Sequence, residues 1–429
     1  MKSRDVGAAG RGGRARPRQI LPLNARRPPL VCAPRMKTQS QPPWSRRRFV
    51  QTLAAAATIL APRARAAAPT GSTRWRAAVI GHTGRGDSGH GLEAIFSDLP
   101  EVELVGLADP DAAGRAQTAA RIGAPKQYAD YRELLRQERP DLVSLAMRQA
   151  DQHHAIALAC VRAGAHLYCE KPFVTFPAEA DEVLAEAHQR RRQIAVAHTM
   201  RLTPAVNRLQ QALREGVLGE LKELRAYGKQ DKRAGGEDMM VLGSHLFDLF
   251  RLFAGDPLWC SARVLGQGRD IKPADGRSVA DNVGPVAGDE VFAQFAFARG
   301  VNATFTSSEK LRETVGHWGI ELHGSKGVAR LNGDVAPTVF LRRTNGWKAS
   351  PRTDEWSPLD PGAAASPAAH NRAPVRDWLE AIRREREPEC SGRNGAWAVE
   401  MVCAVYQAAL QGTRVAFPLQ ERRHPLKPG

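Results

Sequence analysis

Apolar runs of strand length alternate with amphipathic segments from Arg76 onward, and this order constrains the fold more than any other feature of the chain. Strands are predicted at 76–81, 102–109, 141–147, 165–171 and 193–198, and helices near 88–98, 111–121, 131–138, 152–163 and 177–191. Alternation of this kind is typical of βαβ units, in which parallel strands pair and helices cover both faces of the sheet. We therefore predict an α/β fold whose first domain, over residues 74–202, is a doubly wound parallel sheet.

The pattern changes after about residue 204. A helix is predicted at 204–215, a strand at 221–228 and an amphipathic helix at 239–255, and two further helices at 373–386 and 394–411. Between them lie strand-like runs with no intervening helix: WCSARVLG, EVFAQFAFA, VNATFTSS, GIELHGS and TVFLRR. Grouped strands predict a C-terminal α+β domain with a large, mostly antiparallel sheet over residues 203–420. The Pro-, Ala- and Asp-rich segment 348–371 is predicted to be a surface loop.

A glycine-rich turn, AVIGHTGRGDSGHGLEAIF over residues 78–96, follows the first predicted strand. Glycines in such a turn leave the amides at the start of the next helix open to a pyrophosphate. In one register Gly81 follows the strand and Gly86 closes the motif, but Thr83 stands at the middle glycine. In the other register the turn is longer, and the glycines of G-x-G-x-x-G are Gly84, Gly86 and Gly89.

Asp109 ends the second predicted strand, 20 residues after Gly89. An acid at this position binds the ribose hydroxyls and disfavours a ribose 2′-phosphate. Strand, glycine turn, helix and acid in this order predict a Rossmann domain that binds NAD, with NADP less favoured.

Most of the excess positive charge lies near the N-terminus. The net charge is +17, and residues 1–66 hold 15 Lys and Arg against one acid, Asp5. The remainder therefore carries only +3, which argues against a nucleic-acid partner.

The same basic segment has the order of an export signal. SRRRFV at 45–50 precedes the apolar run LAAAATILA and the small-residue stretch PRARAAAP, and the arginine pair resembles a twin-arginine signal. We predict a disordered or untranslated leader at 1–35 and a signal peptide at 36–68. The twin-arginine machinery would then export the protein to the periplasm or another extracytoplasmic site. The alternative is a basic tail followed by a small buried helix.

Five cysteines lie beyond the leader and form no C-x-x-C pair. Neither a zinc site nor a disulfide framework is indicated. We expect buried free thiols, and we predict no metal site.

The sequence CEKPF at 169–173 ends the fifth predicted strand, where the carboxyl edge of a parallel sheet lies beside a cofactor. With the glycine turn, the Ala-Asp that ends strand two, and GSHLFDLFRLFAG on the later helix, it closely resembles the Gfo/Idh/MocA family of sugar and polyol oxidoreductases. The resemblance extends from about residue 74 to 419. It implies an NAD-dependent enzyme that transfers hydride at a hydroxyl of a sugar, polyol or glycoside, and a homo-oligomer in which the C-terminal sheet takes part.

The resemblance also implies residue roles. Lys171 matches the family lysine that lies by the nicotinamide and binds or helps to deprotonate the reacting hydroxyl, and the bond from Lys171 to Pro172 is often cis in relatives. His245 matches the histidine that serves as acid–base or substrate ligand. Glu170 and His153 match residues on the cofactor side.

One position departs from the family pattern. Relatives commonly carry an aspartate four residues before the histidine, and here that residue is Val241. The usual proton relay is therefore in question, so a redox-cycling glycoside-processing enzyme and a non-catalytic nucleotide- and sugar-binding protein stand as alternatives. Asp248 is expected either to orient His245 or to face solvent.

The charged segment 228–238 precedes the helix that carries His245. It is either a solvated loop or a segment that closes over a hydroxylated substrate. Its candidate ligands are Lys229, Asp231, Lys232 and Arg233.

Overall fold

The computed structural model describes residues 74–87, 89–312, 318–334, 337–343, 355–359 and 371–427. The predicted leader, the predicted signal peptide and most of the predicted loop at 348–371 lie outside these residues. The described residues belong to one compact unit.

The N-terminal sheet has six parallel strands. They are β1 (Trp75–Ile80), β2 (Val102–Ala108), β3 (Gln127–Tyr128), β4 (Leu142–Leu145), β5 (His166–Cys169) and β6 (Ile194–Val196). Four α-helices connect them: α1 (Ala112–Ile122), α2 (Tyr131–Glu138), α3 (His153–Arg162) and α4 (Pro177–Arg190). The strand order β3-β2-β1-β4-β5-β6 confirms the doubly wound sheet. Because the order reverses between β1 and β4, a crevice opens at their carboxyl ends, where such folds bind ligands.

Local sequence explains most of these elements. Strands β4 and β5 are buried along their whole length, including Ser144 and His166, as expected for strands covered on both faces. The side chain of Asp111 accepts a hydrogen bond from the Gly114 amide and caps α1, and Gly123 ends that helix with a φ of +70°. The sequence analysis missed β3, because two residues are too few to show a periodicity.

The predicted helix at 88–98 was wrong. The described residues of this segment form turns and one 3₁₀ turn, Leu92–Ala94. Gly89, Gly91 and Asp98 have positive φ values of 61°, 82° and 62°, which an α-helix cannot accommodate. The glycine turn therefore does not lead into an α-helix at 88–98, so the helix dipole expected there is absent from the described residues.

The second sheet has ten strands. They are β7 (Leu221–Tyr227), β8 (Pro257–Gly266), β9 (Arg269–Asp270), β10 (Glu290–Phe297), β11 (Asn302–Ser308), β12 (Gly319–Gly324), β13 (Gly327–Asn332), β14 (Thr338–Arg343), β15 (Ser357–Leu359) and β16 (Val415–Ala416). Their order is β15-β14-β13-β12-β7-β11-β10-β8-β16, and β9 pairs with β8. Every pair is antiparallel except β7 with β11. The predicted mostly antiparallel sheet is thus confirmed, and β9, β13 and β15 were not foreseen.

After residue 203 the described residues form a one-turn α-helix, Gly236–Asp238, and four longer ones: α5 (Pro204–Arg214), α6 (Ser244–Ala254), α7 (Arg372–Arg383) and α8 (Gly392–Gln411). Helix α7 packs on the first domain, where Trp378 is fully buried. The helix predicted at 239–255 begins instead with a π-helical stretch, Met239–Gly243, that continues into α6. Phe247 of α6 packs edge to face on Phe295 and Phe305 of the sheet, each with ring centroids 5.1 Å apart. This packing fixes the helix that carries His245.

The five cysteines of the described residues, Cys160, Cys169, Cys260, Cys390 and Cys403, are buried and free, as expected. Over the same residues, none of the helices has the length and apolar composition needed to cross a membrane.

Candidate active site

The turn Glu170–Lys171–Pro172 follows β5 at the carboxyl edge of the parallel sheet, and His153 holds it there. The His153 ring is fully buried. Its Nδ1 lies 2.9 Å from the Pro172 carbonyl oxygen, and its Nε2 lies 2.8 Å from the Met147 carbonyl oxygen at the end of β4. The bond from Lys171 to Pro172 is cis. The structure therefore gives His153 contacts that position the turn, and direct contact with the cofactor stays a prediction.

Lys171 is buried, and its Nζ donates a hydrogen bond to the carbonyl oxygen of Val241 at 3.1 Å. Burial lowers the pKa of Lys171, because the charged ammonium loses its hydration. Nearby charges modify this shift in both directions: Glu170 and Asp281 raise the pKa, and Arg148 and Arg233 lower it.

His245 and Lys171 line the same cavity, of about 450 Å³. The two come from different domains and lie 74 positions apart in the sequence. The His245 ring meets the ring of His198 edge to face, with centroids 5.3 Å apart. Burial lowers the pKa of His198, and the nearby Asp248 opposes that shift.

Asp248 does not face solvent, contrary to one of the two expectations. Its carboxylate is buried and accepts two hydrogen bonds from Nε of Arg201, at 2.7 and 2.8 Å. This buried pair ties α6 to the segment that follows β6.

The glycine turn approaches the ends of β4 and β5 closely. Gly84, Gly86 and Gly89 have positive φ values of 77°, 86° and 61°. A Cβ on Gly86 would lie 2.7 Å from the Arg148 amide nitrogen, and one on Gly89 would lie 2.3 Å from the Ala146 carbonyl oxygen. A Cβ on Gly84 would meet open space. These three glycines are those of the longer register.

Gly81 belongs to the strand end rather than to the turn. It is buried, and its amide donates to the Ala108 carbonyl oxygen at 3.0 Å. Gly81 thus extends the pairing of β1 with β2, and the glycine turn begins after Gly81.

Asp109 anchors the glycine turn from the end of β2. Its Oδ2 accepts hydrogen bonds from the amide and the hydroxyl of Thr83, both at 2.8 Å, and its Oδ1 accepts one from the Asp111 amide at 2.9 Å. A carboxylate has about four acceptor positions, so Asp109 keeps about one for a ribose hydroxyl. Thr83 also packs on α1, where a Cβ on Gly114 would lie 1.9 Å from its Oγ1.

Glu170 is fully buried behind the glycine turn. Its Oε1 pairs with Nδ1 of His90 at 2.8 Å, whereas its Oε2 has no hydrogen-bond partner among the described residues. A buried oxygen without a donor is costly unless a ligand supplies one. The bare glycine turn and this acceptor together fit a dinucleotide that lies along the carboxyl ends of β1, β4 and β5.

A second cavity, of about 200 Å³, adjoins the first. The two cavities share four lining residues: Lys171, Lys229, Leu242 and His90. The further residues of the smaller cavity are Arg148, Pro172, Arg233, Val241, Asp281 and Val283.

The segment 228–238 is anchored rather than loose. The buried side chain of Gln230 donates to the Thr306 carbonyl oxygen at 3.0 Å, and the buried carboxylate of Asp238 accepts from the Lys229 amide at 2.9 Å. Lys229 and Arg233 line the cavities, while Lys232 is exposed and lines neither.

Sequence reasoning missed His90, Arg148 and Asp281. Arg148 follows β4 at the carboxyl edge of the sheet, so its position was a usable signal. Asp281 lies in an irregular stretch before β10, and its sequence offers no motif that would have placed it near Lys171.

Two family models match the chain. One, described as the oxidoreductase family NAD-binding Rossmann fold, covers residues 75–198, and the other, the C-terminal alpha/beta domain of the same family, covers residues 211–417.

The chain is also similar in sequence to curated dehydrogenases. D-apiose dehydrogenase of Paraburkholderia graminis is 25% identical over 345 residues, which are 77% of this chain and 87% of that protein. Trans-1,2-dihydrobenzene-1,2-diol dehydrogenase of Oryctolagus cuniculus is 30% identical over 251 residues, 55% of this chain and 70% of that protein.

Solved structures show a similar fold. A levoglucosan dehydrogenase in complex with NADH and levoglucosan has a TM-score of 0.66 at 19% identity, over 80% of this chain and all of that one. At this identity the likeness shows the fold alone.

Proposed function

Because the chain belongs to the Gfo/Idh/MocA oxidoreductase family, we propose that it is an NAD-dependent dehydrogenase that oxidises a hydroxyl of a sugar, polyol or glycoside. One observation carries the proposal: Lys171 from the first domain and His245 from the second line one cavity beside the glycine turn. The relatives that act on D-apiose and levoglucosan support a carbohydrate substrate.

The residues that would hold the cofactor are the glycines of the turn, Asp109 and Glu170. When bound, NAD supplies the hydride acceptor for oxidation of the substrate carbon. NAD is proposed over NADP because the buried Asp109 carboxylate would repel a ribose 2′-phosphate and can still accept from a ribose hydroxyl.

Lys171 is the proposed base for the hydroxyl proton. A base works best when its pKa lies near the working pH, and burial shifts the pKa of Lys171 in that direction. The hydrogen bond from Nζ to the Val241 carbonyl oxygen uses one N–H and leaves the lone pair of the neutral amine for the proton of the substrate. His245, across the same cavity, would orient the hydroxyl or share its proton.

The valine at 241 is compatible with this chemistry. A family aspartate at that position would place a negative charge near Lys171 and favour the charged ammonium. Here the side chain of residue 241 is uncharged and Nζ of Lys171 bonds the backbone carbonyl oxygen, so this position adds no charge that opposes the effect of burial. We therefore propose that Lys171 acts without a carboxylate relay at residue 241.

The proposal is tested with the purified protein and a panel of sugars, polyols and glycosides, with NAD reduction as the readout. Loss of a positioned acid–base group should slow turnover by roughly 10²- to 10⁴-fold, so Lys171→Met should lose activity to that degree and keep its NADH affinity. Lys232→Met, at an exposed lysine outside both cavities, is the matched control and should behave as wild type.

Other outcomes would decide against the proposal. A protein that binds NADH and sugars but reduces no NAD would be a binder. Glycoside cleavage without net NAD reduction would identify the redox-cycling alternative. Full activity of Lys171→Met would refute the assigned base.

We also propose export by the twin-arginine route and assembly into a homo-oligomer. The motif SRRRFV and the short apolar run that follows support export. Replacement of Arg46 and Arg47 by lysine should keep the precursor in the cytoplasm of a cell that otherwise exports it, and unchanged export would contradict the proposal. Sedimentation of the mature protein as a monomer would contradict oligomerisation.

A further inference from the structure

The smaller cavity is strongly cationic. Its cationic lining residues beside the proposed base Lys171 are Arg148, Lys229 and Arg233, and Asp281 is the single carboxylate among its described lining residues. A cavity of about 200 Å³ brings these groups close together. Arg148 and Arg233 are half-buried, whereas Lys229 is exposed. Like charges at half-buried positions repel one another.

These cations have little compensation within the described chain. The side chains of Arg148 and Lys229 form neither a hydrogen bond nor an ion pair with any described residue, and Nε of Arg148 is buried without a partner. Among the described residues, Arg233 forms long ion pairs with Asp281, at 3.7 Å, and Asp231, at 3.8 Å.

The backbone holds the cations in place. The Lys229 amide is bonded to the buried Asp238 at 2.9 Å, and the adjacent Gln230 is fully buried. Arg148 lies against Gly86, where there is no room even for a Cβ. The side chain of Lys229 is exposed, but the segments that carry the three cations are anchored, which preorganises their positions for an anion.

We infer that the substrate carries an anionic group, a carboxylate or a phosphate, and that this cavity binds the group beside the reacting hydroxyl. The inference rests on the proposed dehydrogenase function, because the base Lys171 lines both cavities. The hydroxyl at Lys171 and the anion at Arg148, Lys229 and Arg233 would then belong to one molecule. Arginine and lysine supply charge-assisted hydrogen bonds to either kind of anion. The substrate class is thus a hydroxylated acid or a sugar phosphate.

The phosphates of the cofactor are the other source of such an anion. The glycine turn, Asp109 and Glu170 all belong to the first domain, whereas Lys229 and Arg233 come from the second domain, together with Val241 and Leu242. A group bound between the two domains next to Lys171 is better placed to be part of the substrate.

The test measures binding to the NADH-loaded protein, which cannot oxidise the probes, by isothermal titration calorimetry. The probes are D-gluconate, D-glucuronate and D-glucose 6-phosphate, with D-glucose and D-glucitol as neutral counterparts. A charge-assisted contact changes affinity by roughly tenfold or more. At least one anion should therefore bind roughly tenfold or more tightly than its neutral counterpart. Carboxylates and phosphate are compared within the same series.

Two variants locate the contact. Lys229→Met should remove most of the preference for the anion and leave NADH affinity unchanged, and Lys232→Met should change neither. Equal binding of anionic and neutral probes, including absence of binding by both, would overturn the inference. A loss of NADH affinity in Lys229→Met with the anion preference intact would assign the cations to the cofactor and overturn it as well.

Failure of this inference is distinguishable from failure of the proposed function. The preference for an anion is read from binding without turnover, whereas the dehydrogenase is read from NAD reduction. A neutral sugar that is oxidised as fast as every anionic probe would refute the inference and leave the dehydrogenase intact.

Discussion

Replacement of Gly89 by alanine tests whether the glycine turn holds the cofactor in the geometry described. Gly89 has a φ of +61°, and a Cβ there would lie 2.3 Å from the Ala146 carbonyl oxygen and 3.0 Å from Oε2 of Glu170. The first of these atoms belongs to the backbone at the end of β4 and cannot rotate away. The turn must therefore move away from the sheet in the variant.

The free-energy cost of Gly89→Ala has two parts. A left-handed conformation costs an alanine about 1–2 kcal/mol. Forced displacement of a tightly packed turn adds strain of about 1–3 kcal/mol. Together they amount to about 3 kcal/mol, which corresponds to a roughly 100-fold weaker binding of NADH if the bound state requires the native turn.

Gly84→Ala is the matched control. Gly84 also has a positive φ, 77°, but a Cβ there would meet no atom within 4 Å. This variant bears only the conformational cost, so its loss of affinity should be about tenfold. Fluorescence titration of NADH measures both variants, and thermal unfolding shows how much of the cost appears as lost stability. Binding by Gly89→Ala that is no weaker than binding by Gly84→Ala would refute the reasoning.

Three further predictions concern titrating and charged groups. Burial raises the pKa of Asp238 from its usual 3.8 to about 6, so the folded state holds the proton more tightly, and the free energy of unfolding falls as pH rises through this window. The variant Asp238→Asn lacks this fall. Between about pH 4 and pH 8, urea unfolding should therefore show the stability of the variant rising relative to that of the wild type by about 3 kcal/mol. A stability difference that stays constant with pH would contradict the raised pKa. For Lys171, whose pKa burial lowers, log kcat/KM for oxidation should rise with pH to a plateau below the usual lysine pKa of 10.5. Arg148 lowers and Asp281 raises the pKa of Lys171. Arg148→Gln should therefore move the rising part of this pH profile to higher pH, and Asp281→Asn should move it to lower pH. Shifts of the opposite sign would rule out Lys171 as the titrating base. Asp248→Asn leaves the buried Arg201 without its counter-charge and should lower the free energy of unfolding by about 3–5 kcal/mol, whereas Asp270→Asn, in an exposed pair with Arg263, should have no measurable effect on chemical unfolding.

The pattern of the sequence predicted most of the elements that form the crevice. The helices at 111–121, 131–138, 152–163 and 177–191 agree with α1 to α4 within about two residues at each end. Their signals are local, because periodic apolar residues, caps such as Asp111 and stops such as Gly123 lie within each element. The prediction of a helix at 88–98 was wrong because its apolar residues suggested a helical periodicity, whereas the glycines and Asp98 interrupt the helix.

The partners of the site residues could not be predicted in the same way. Lys171 donates to a carbonyl 70 positions away, and Asp248 pairs with an arginine 47 positions away. No spacing in the sequence encodes such a contact, because it depends on how α6 packs on the sheet. His153 shows the limit most clearly: its place at the start of α3 was predicted, whereas its bonds to the turn after β5 follow from the approach of two strands.

The sequence by itself determined that this chain alternates strands and helices, bears a glycine turn and an acid at the carboxyl edge of a parallel sheet, and ends in an antiparallel domain. It also placed Lys171 and His245 on elements that could meet. Only the tertiary structure decided that Arg148 joins Lys229 and Arg233 around Lys171 to form a cationic cavity. The physical reason is that secondary structure follows from short-range patterns, whereas the charge and burial around a side chain are set by segments that the fold alone brings together.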